Sequence, residues 1–311
     1  MSILKLSGCL AAGFLLLCAA TPTHAQVLSY DEVVFLTAEW EGERLEDGRP
    51  KVSDDILARM KNVSIEEAWG VIRRHGYHNQ FAGNWKMIHE HETIVGRALT
   101  VQYMPNSPAL AKRRLEQGHA EGRIGATNSW PIDMLQQGDV YVADAFGKIA
   151  SGTLIGDNLG NAIFANSGTG VVFDGSLRDL EGLEQIEGFN AFVRDWHPSY
   201  IQEMMLGGIN GVIRIGEAVV LPGDVVLAKR GGVLFIPAQF AQEAVETAEL
   251  VKLRDSFGHQ MLREGKYTPG QIDTKWTEAI ERDFYAWLEI NIDNLPVPRS
   301  RIQEMLDERN W

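Results

Sequence analysis

The segment Gly170-Val-Val-Phe-Asp-Gly-Ser-Leu-Arg-Asp179 joins a short β-branched run to a turn and then to an adjacent cation and anion. A glycine before such a run and an Asp-Gly pair after it are typical of a buried strand. Upstream, Gly156-Asp-Asn-Leu-Gly160 opens a helix predicted over residues 158–167. The first N–H groups of a helix are unpaired and its dipole is positive there, which suits a substrate carboxylate. Together the two segments predict a ligand site at the carboxyl edge of a sheet.

Strand and helix signals continue on both sides of this site. Residues 178–186 are long enough for a helix but too short to cover a large sheet. Short β-branched runs bounded by Gly, Pro or Asp predict strands, and their alternation with helices indicates a layered α/β core. These runs are residues 96–103, 138–144, 170–174, 189–193 and 225–236.

Two of the predicted strands echo each other in sequence. Gly138-Asp-Val-Tyr-Val-Ala-Asp aligns with Gly223-Asp-Val-Val-Leu-Ala-Lys. Duplication of a β unit explains the echo, and so does the general use of Gly-Asp turns before strands. The sequence leaves both explanations open.

Helical patterns precede the core. Ser53 is placed to cap a short helix, and Ser64 with Glu67 forms a capping box for a second helix, which Gly76 ends. Residues 77–92 are polar, aromatic and irregular, so we expect a loop or a subunit-facing segment there. We therefore assign residues 26–95 to an N-terminal helical and irregular segment.

Helical patterns also follow the core. Beyond Pro237, apolar residues recur at helical spacing in two series that Thr268-Pro-Gly270 separates. We interpret residues 241–311 as a C-terminal helical extension and residues 96–240 as the core domain. The two series are Phe240, Ala244, Ala248 and Val251, then Trp276, Ile280, Phe284, Trp287 and Leu288.

Residues 1–25 have the features of a secretory signal peptide. Lys5 precedes an apolar run over residues 10–20, and small residues at Thr23 and Ala25 predict cleavage before Gln26. An uncleaved anchor is the alternative, although the run is shorter than the roughly 20 residues that span a bilayer. We expect an exported protein, periplasmic or secreted, with no membrane attachment after the leader is removed.

Composition excludes several functional classes. Both cysteines of the chain, Cys9 and Cys18, lie in this leader, so the mature protein would have no disulfide, thiolate metal site or cysteine nucleophile. The net charge of −13 argues against nucleic acid as a partner, because phosphate binding depends on clustered Lys and Arg. The sequence contains no Walker A loop, no dinucleotide-binding glycine motif, no nucleophile-elbow motif and no H-E-x-x-H motif.

The spacing of the candidate site resembles a known signature. Asp157, twenty intervening residues and then Arg178-Asp179 are similar to the D-x20-R-D signature of the RraA-like family. That family includes the regulator of ribonuclease E activity A and the 4-hydroxy-4-methyl-2-oxoglutarate aldolases. The resemblance covers about residues 64–245 and implies an α/β fold with a layered β/β/α swivelling-domain-like core. It also implies a homotrimer with active sites between subunits.

In the aldolase branch, the resemblance implies a role for each motif residue. The position of Asp179 ligates a divalent metal, Mg or Mn, and that of Arg178 contacts the keto acid. The position of Asp157 helps to hold water on the metal, and the loop amides of Gly156, Asp157, Asn158 and Leu159 bind the substrate carboxylate.

These roles predict a carbon–carbon lyase that acts on a 2-oxo acid. Hard dications prefer oxygen ligands and can stabilise a pyruvate enolate, while Arg178 adds a fixed positive charge. We expect a 4-hydroxy-4-methyl-2-oxoglutarate-type aldolase, an oxaloacetate decarboxylase, or both. Schiff-base chemistry at Lys148 or Lys229 is not required.

Three alternatives come from other classes. The chain could be a non-enzymatic binding or regulatory protein, although Asp157, Arg178 and Asp179 together favour chemistry. His75 with His78, or His89 with His91, could ligate zinc if a third ligand came from elsewhere. A menaquinone methyltransferase activity is disfavoured, because no glycine-rich strand-turn-helix is present to bind S-adenosylmethionine.

Overall fold

The computed structural model describes residues 26–295 and 297–308. The predicted signal peptide, residues 1–25, lies outside the described residues. Within the described part of the chain, no helix is both long enough and apolar enough to cross a membrane.

The helices begin and end close to the predicted caps. Ser53 accepts a hydrogen bond from Ile56 N at the start of the helix Asp54–Met60, and Ser64 and Glu67 form the predicted capping box of the helix Ile65–Arg74. The α-helices are α1 (Tyr30–Leu36), α2 (Asp54–Met60), α3 (Ile65–Arg74), α4 (Pro108–Ala120), α5 (Asp157–Ser167), α6 (Leu180–Leu183), α7 (Ala241–Arg263), α8 (Pro269–Ile272), α9 (Glu278–Asn291) and α10 (Arg299–Glu308).

Most strands belong to one mixed sheet. Among the described residues its order is β1-β11-β10-β3-β4-β5-β6-β2, with β7 pairing along β3, and β8 and β9 form a separate hairpin. The strands are β1 (Phe81–Ala82), β2 (Lys86–Met87), β3 (Ile94–Pro105), β4 (Asp139–Thr153), β5 (Val171–Leu177), β6 (Ala191–Trp196), β7 (Met204–Ile209), β8 (Ile213–Ile215), β9 (Ala218–Val220), β10 (Val225–Lys229) and β11 (Gly232–Ile236).

The sheet has a different layer on each face. Strands β3 to β6 are parallel, and alternate residues along them point to opposite faces. Tyr141 and Phe173 pack on one face with Ile163 of α5. Val142 and Val172 pack on the other face with the β8-β9 hairpin. This helix, sheet and hairpin arrangement confirms the predicted layered β/β/α core.

The two flanking segments contribute unequally to the fold. Within residues 26–95, α2 and α3 pack with α7 against β10 and β11, and β1 and β2 join the edges of the sheet. The expected loop over residues 77–92 therefore contains two short strands. In the C-terminal extension, the second half of α7 forms a separate apolar cluster with α8, α9 and α10.

The predicted helix over residues 178–186 is shorter than expected. Only α6, of four residues, forms there, and it starts no earlier than Leu180 because Asp179 adopts a left-handed backbone with φ 58° and ψ 45°. A residue in that conformation interrupts the strand-to-helix transition and cannot continue a right-handed helix. The helix α5 matches its predicted bounds to within one residue.

The internal echo corresponds to two turns of the same geometry. In Gly138-Asp139 and Gly223-Asp224, a glycine with φ of +81° or +87° precedes a buried aspartate. Each aspartate accepts a hydrogen bond from the N–H three residues earlier, Gln136 at 3.0 Å and Leu221 at 2.8 Å. Burial raises the pKa of the Asp224 carboxyl to about 8. The turns begin β4 and lead into β10, and both of these strands pair with β3.

Candidate active site

The candidate site lies just after the ends of two neighbouring parallel strands. Strand β4 ends at Thr153 and leads through a short link to Gly156, which is the N-cap of α5. Strand β5 ends at Leu177 and is followed at once by Arg178 and Asp179. Backbone hydrogen bonds hold the two links together, one of them from Arg178 N to the Ile155 carbonyl at 3.1 Å. Both links therefore lie at the carboxyl edge of the sheet, as the sequence predicts.

The Asp179 carboxylate is available for a ligand. Asp179 is the N-cap of α6, but its side chain makes no capping hydrogen bond; its backbone carbonyl accepts from Gly182 N and Leu183 N instead. The side chain is 41% exposed, and its Oδ2 atom lies 3.4 Å from Nε of Arg178, which is also 41% exposed. The cation and anion predicted from sequence are thus adjacent and half open to solvent.

Asp157 lies at the start of α5 and close to Gly182 of α6. Its Oδ1 atom accepts from Asn158 N at 2.8 Å, and its backbone carbonyl accepts from Asn161 Nδ2 at 2.9 Å. Its other oxygen lies so close to Gly182 that a Cβ there would be 2.7 Å away. The backbone N–H of Asn158 is one of the loop amides predicted to bind the substrate carboxylate. It therefore already donates a hydrogen bond to the side chain of Asp157.

One small cavity brings all the predicted site residues together. Its volume is about 80 Å³, and residues 153–159 form one side of it, with Arg178 and Asp179 beside them. Asn128, Tyr200 and Ile201 complete the lining. These three residues were not predicted, because they come from loops distant in sequence that carry no motif. Asn128 Nδ2 is tied to the site through a 2.7 Å hydrogen bond to the Leu154 carbonyl.

The lysines considered for Schiff-base chemistry are engaged elsewhere. Lys148 Nζ pairs with Glu203 Oε2 at 2.5 Å, and Lys229 Nζ donates to the Lys61 carbonyl at 3.0 Å. Burial lowers the pKa of Lys229. Neither lysine lines the cavity that contains Asp179.

The histidine-based zinc hypothesis gains no support from the geometry. The His75 ring stacks on Phe240 at 4.2 Å between centroids, and its Nε2 lies 2.8 Å from Glu243 Oε2. Over residues 26–295 and 297–308, no group of three or more His, Cys, Asp and Glu side chains is arranged to hold a metal.

The donor set at the cavity suits a hard dication with few protein ligands. Mg²⁺ keeps several waters and is commonly bound through one or two carboxylates together with oxygens of the substrate. Asp179 supplies one such carboxylate, which makes no helix-capping hydrogen bond and is half exposed. The residues present therefore fit Mg²⁺ or Mn²⁺, for which Asp179 would be the protein ligand from this chain.

Gly156 leaves room for that carboxylate. A Cβ at this position would lie 2.1 Å from Asp179 Oδ2 and 3.1 Å from Arg178 Nε, although its φ of −122° is open to any residue. We expect Gly156→Ala to weaken Mn²⁺ binding by roughly 10- to 100-fold, as displacing the support of a metal ligand typically does. Titration calorimetry measures this.

Gly70→Ala is the matched control for that substitution. A Cβ at Gly70, in α3, meets nothing within 4 Å. We expect the control to keep the Mn²⁺ affinity of the parent protein and to be equally or more stable, since Ala is the better helix former. Equal affinities for all three proteins would mean that the Asp179 carboxylate does not bind the ion.

Comparison with known proteins agrees with this architecture. A family model described as RraA-like, Aldolase/RraA, matches residues 50–235. Streptomyces coelicolor RraAS2, described as an unusual member of the RNase ES inhibitor RraA protein family, has a similar solved structure with a TM-score of 0.55. That likeness covers 70% of this chain and 98% of the other at 23% identity, so it shows the fold alone.

Two curated relatives share part of the sequence. Protein DlpA of Legionella pneumophila is 29% identical over 171 residues, which are 52% of this chain and 24% of DlpA. A Pseudomonas paraeruginosa protein named "Putative 4-hydroxy-4-methyl-2-oxoglutarate aldolase" is 30% identical over 107 residues, 34% of this chain and 64% of that protein. The chain thus spans less than two thirds of the length of each of these relatives.

Proposed function

Because this chain belongs to the RraA-like family, we propose that it is a divalent-metal-dependent lyase that cleaves a carbon–carbon bond of a 2-oxo acid. The observation that carries the proposal is the single cavity shared by Asp179, Arg178 and the start of α5. A carboxylate for a hard cation, a fixed cation and a helix N-terminus are the groups that a 2-oxo acid requires. Aldolase-named relatives support a lyase activity at the level of the family.

Arg178 and the helix start would bind and orient the substrate. The guanidinium of Arg178 presents several N–H donors to a keto or carboxylate oxygen. The positive end of the α5 dipole favours the substrate carboxylate at the same place. Both groups also favour the negative charge that develops on the keto oxygen as the carbon–carbon bond breaks.

A divalent ion bound at Asp179 would supply a Lewis acid that polarises the keto oxygen. Asp157 is the group of this chain that can hold the proton in transit. One of its oxygens is engaged by Asn158 N, and a carboxylate has further lone pairs that can accept from a water or a substrate hydroxyl. Asp157 would thus take the hydroxyl proton in an aldol cleavage.

The proposal extends to location and assembly. The features of residues 1–25 support export to the periplasm or beyond, and the resemblance to the family supports a homotrimer. The acidic composition argues against nucleic acid as the partner. A non-enzymatic binding role, the alternative, is one outcome of the test below.

The test is pyruvate release by protein purified without residues 1–25. We expect pyruvate release from oxaloacetate or from 4-hydroxy-4-methyl-2-oxoglutarate with Mg²⁺ or Mn²⁺. We expect a chelator to lower the rate at least about 100-fold. A coupled lactate dehydrogenase assay follows the product, and the metal-catalysed reaction without protein is subtracted. Metal-loaded protein that releases no pyruvate from either compound would favour the binding role.

A further inference from the structure

The loop between β6 and β7, residues 197–203, contributes two residues to the lining of the candidate cavity. Tyr200 and Ile201 line it together with Arg178 and Asp179. Ile201 packs against the apolar cluster of the core, whereas Tyr200 is 58% exposed. A tyrosine joins an apolar ring to a polar tip, and one that the fold leaves this open beside a cavity is accessible to a bound ligand.

The hydroxyl of Tyr200 is able to donate a hydrogen bond to such a ligand. Its oxygen accepts a hydrogen bond from Gln202 Nε2 at 3.0 Å. An amide nitrogen can only donate, so the Tyr200 hydroxyl retains its own hydrogen for donation to an acceptor. The oxygens of a 2-oxo acid bound at Arg178 are acceptors of that kind.

The backbone of Ser151 anchors this β6–β7 loop on both sides of Tyr200. Ser151 lies near the end of β4 with a φ of 57°, a left-handed conformation that residues other than glycine seldom adopt. Its carbonyl accepts from Gln202 N and Glu203 N, both at 3.0 Å. Its N–H donates to Ser199 Oγ at 2.8 Å. The polar backbone groups of an unusual residue are thus directed to the loop that contains Tyr200.

His197 holds the first half of the same loop. Its Nδ1 atom accepts from Ser199 N at 3.2 Å and lies 2.9 Å from Ser199 Oγ. Ser199 Oγ in turn lies 3.0 Å from Thr153 Oγ1, and Thr153 lines the candidate cavity. The backbone N–H of His197 donates to the carbonyl of Leu177, the last residue of β5, at 3.1 Å. The turn that His197 closes therefore fixes Tyr200 relative to the ends of β4 and β5.

We propose that Tyr200 is a substrate-binding residue whose hydroxyl donates a hydrogen bond to an oxygen of the bound 2-oxo acid, and that His197 is the positioning residue that holds Tyr200 in place. This inference rests on the proposed lyase function and adds a substrate contact from the β6–β7 loop. A hydrogen bond to an anionic oxygen is stronger than one between neutral groups, so its loss should lower the affinity for substrate. The hydroxyl donates without giving up its proton, so the proton balance of the reaction is unchanged.

Tyr200→Phe removes the hydroxyl and keeps the ring. The binding probe is oxalate, an unreactive anion similar in shape to the enolate of pyruvate, and calorimetry with Mn²⁺-loaded protein measures its affinity. We expect Tyr200→Phe to bind oxalate about 10-fold more weakly than the parent. KM for oxaloacetate should rise by a similar factor while kcat changes less than about threefold, because the contact is made in the ground state and the transition state alike.

Tyr30→Phe is the matched control for that substitution. Tyr30 lies in α1, is 49% exposed and does not line the cavity. We expect the control to keep the oxalate affinity and the KM of the parent. Values for Tyr200→Phe that equal those of Tyr30→Phe would overturn the inference.

Two substitutions of His197 test its positioning role. An Asn side chain can accept from the N–H two residues further on, as His197 Nδ1 does, whereas Leu cannot. We expect His197→Leu to weaken oxalate binding about 10-fold and His197→Asn to stay within about threefold of the parent. In the Tyr200→Phe background, His197→Leu should have no further effect, because the contact that it positions is already lost. Additive losses, or equal affinities for the Leu and Asn variants, would contradict the positioning role.

Oxalate binding also separates this inference from the proposed function, because it requires no turnover. If the protein releases no pyruvate from any 2-oxo acid but Tyr200→Phe still weakens oxalate binding, the lyase function is wrong and the contact from Tyr200 is correct. If the parent releases pyruvate and Tyr200→Phe matches it in KM and oxalate affinity, the contact is wrong and the lyase function is correct. Metal-loaded parent protein that neither binds oxalate nor releases pyruvate would refute both.

Discussion

Asp179→Asn is expected to reduce metal-dependent pyruvate release by at least about 1,000-fold. Asp179 supplies the uncapped, 41% exposed carboxylate of the cavity, and an amide is a much weaker ligand for a hard dication. Asn has the same shape and tolerates the left-handed backbone at φ 58°, so the fold should be preserved. The rate is measured by the coupled pyruvate assay, and bound Mn²⁺ by titration calorimetry.

The control for Asp179→Asn is Asp133→Asn. Asp133 is exposed and lies outside the cavity, so the same change of charge is made without touching the site. We expect the control to keep the parent rate, and both variants to keep the parent melting temperature within a few degrees. A fully active Asp179→Asn protein would show that this carboxylate has no part in the reaction.

Arg49→Met is expected to lower the free energy of unfolding by about 3–5 kcal/mol. Arg49 is fully buried; its Nη2 lies 2.8 Å from Asp139 Oδ2 and its Nε lies 2.7 Å from Asp47 Oδ2. Burial opposes the charge of Arg49, but the facing carboxylates outweigh it and raise the pKa of the guanidinium. Removing that charge leaves the buried carboxylate of Asp139 with weaker compensation from Arg97, 3.3 Å away.

Urea denaturation of the parent and variant proteins measures the effect. Lys51→Met is the control, because Lys51 pairs with Glu43 at 2.9 Å while both side chains are largely exposed. An exposed pair of this kind is worth less than about 1 kcal/mol. Comparable losses in the two variants would mean that burial of the Arg49 pair adds nothing to stability.

Arg49 also illustrates how far a sequence can predict packing. It connects the N-terminal segment to the start of β4 across 90 positions of sequence, and a single Arg in an irregular segment carries no local signal for that contact. The same limit applies to β1 and β2, which are two residues each and pair with β11 and β6 respectively. Their strand character comes from partners, not from their own residues.

Sequence patterns predicted the structure correctly where the interacting residues are close together in the chain. Ser64 and Glu67 cap a helix through hydrogen bonds that span three residues, so their spacing alone predicts them. Buried parallel strands need continuous β-branched runs because both faces are covered, which made β5 recognisable. Helix α4 went unpredicted because its apolar residues form no continuous stripe, and among its residues only Gly118 is buried.

The candidate site shows the same difference between residues that a local pattern predicts and residues that it does not. Its motif residues, Asp157, Arg178 and Asp179, follow directly from strand ends and a helix start, so their order along the chain predicted their meeting at one sheet edge. The order of motifs along the chain could not predict Asn128, Tyr200 and Ile201, which reach the cavity from two other loops.

Family membership, the layered core and the meeting of Asp157, Arg178 and Asp179 are therefore specified by local sequence, because short-range backbone preferences and motif spacing determine them. The positions of Asn128, Tyr200 and Ile201 around the cavity and the buried Arg49 pair were decided by tertiary structure alone. Both depend on contacts between residues far apart in the chain, and such contacts exist only after the whole core has packed.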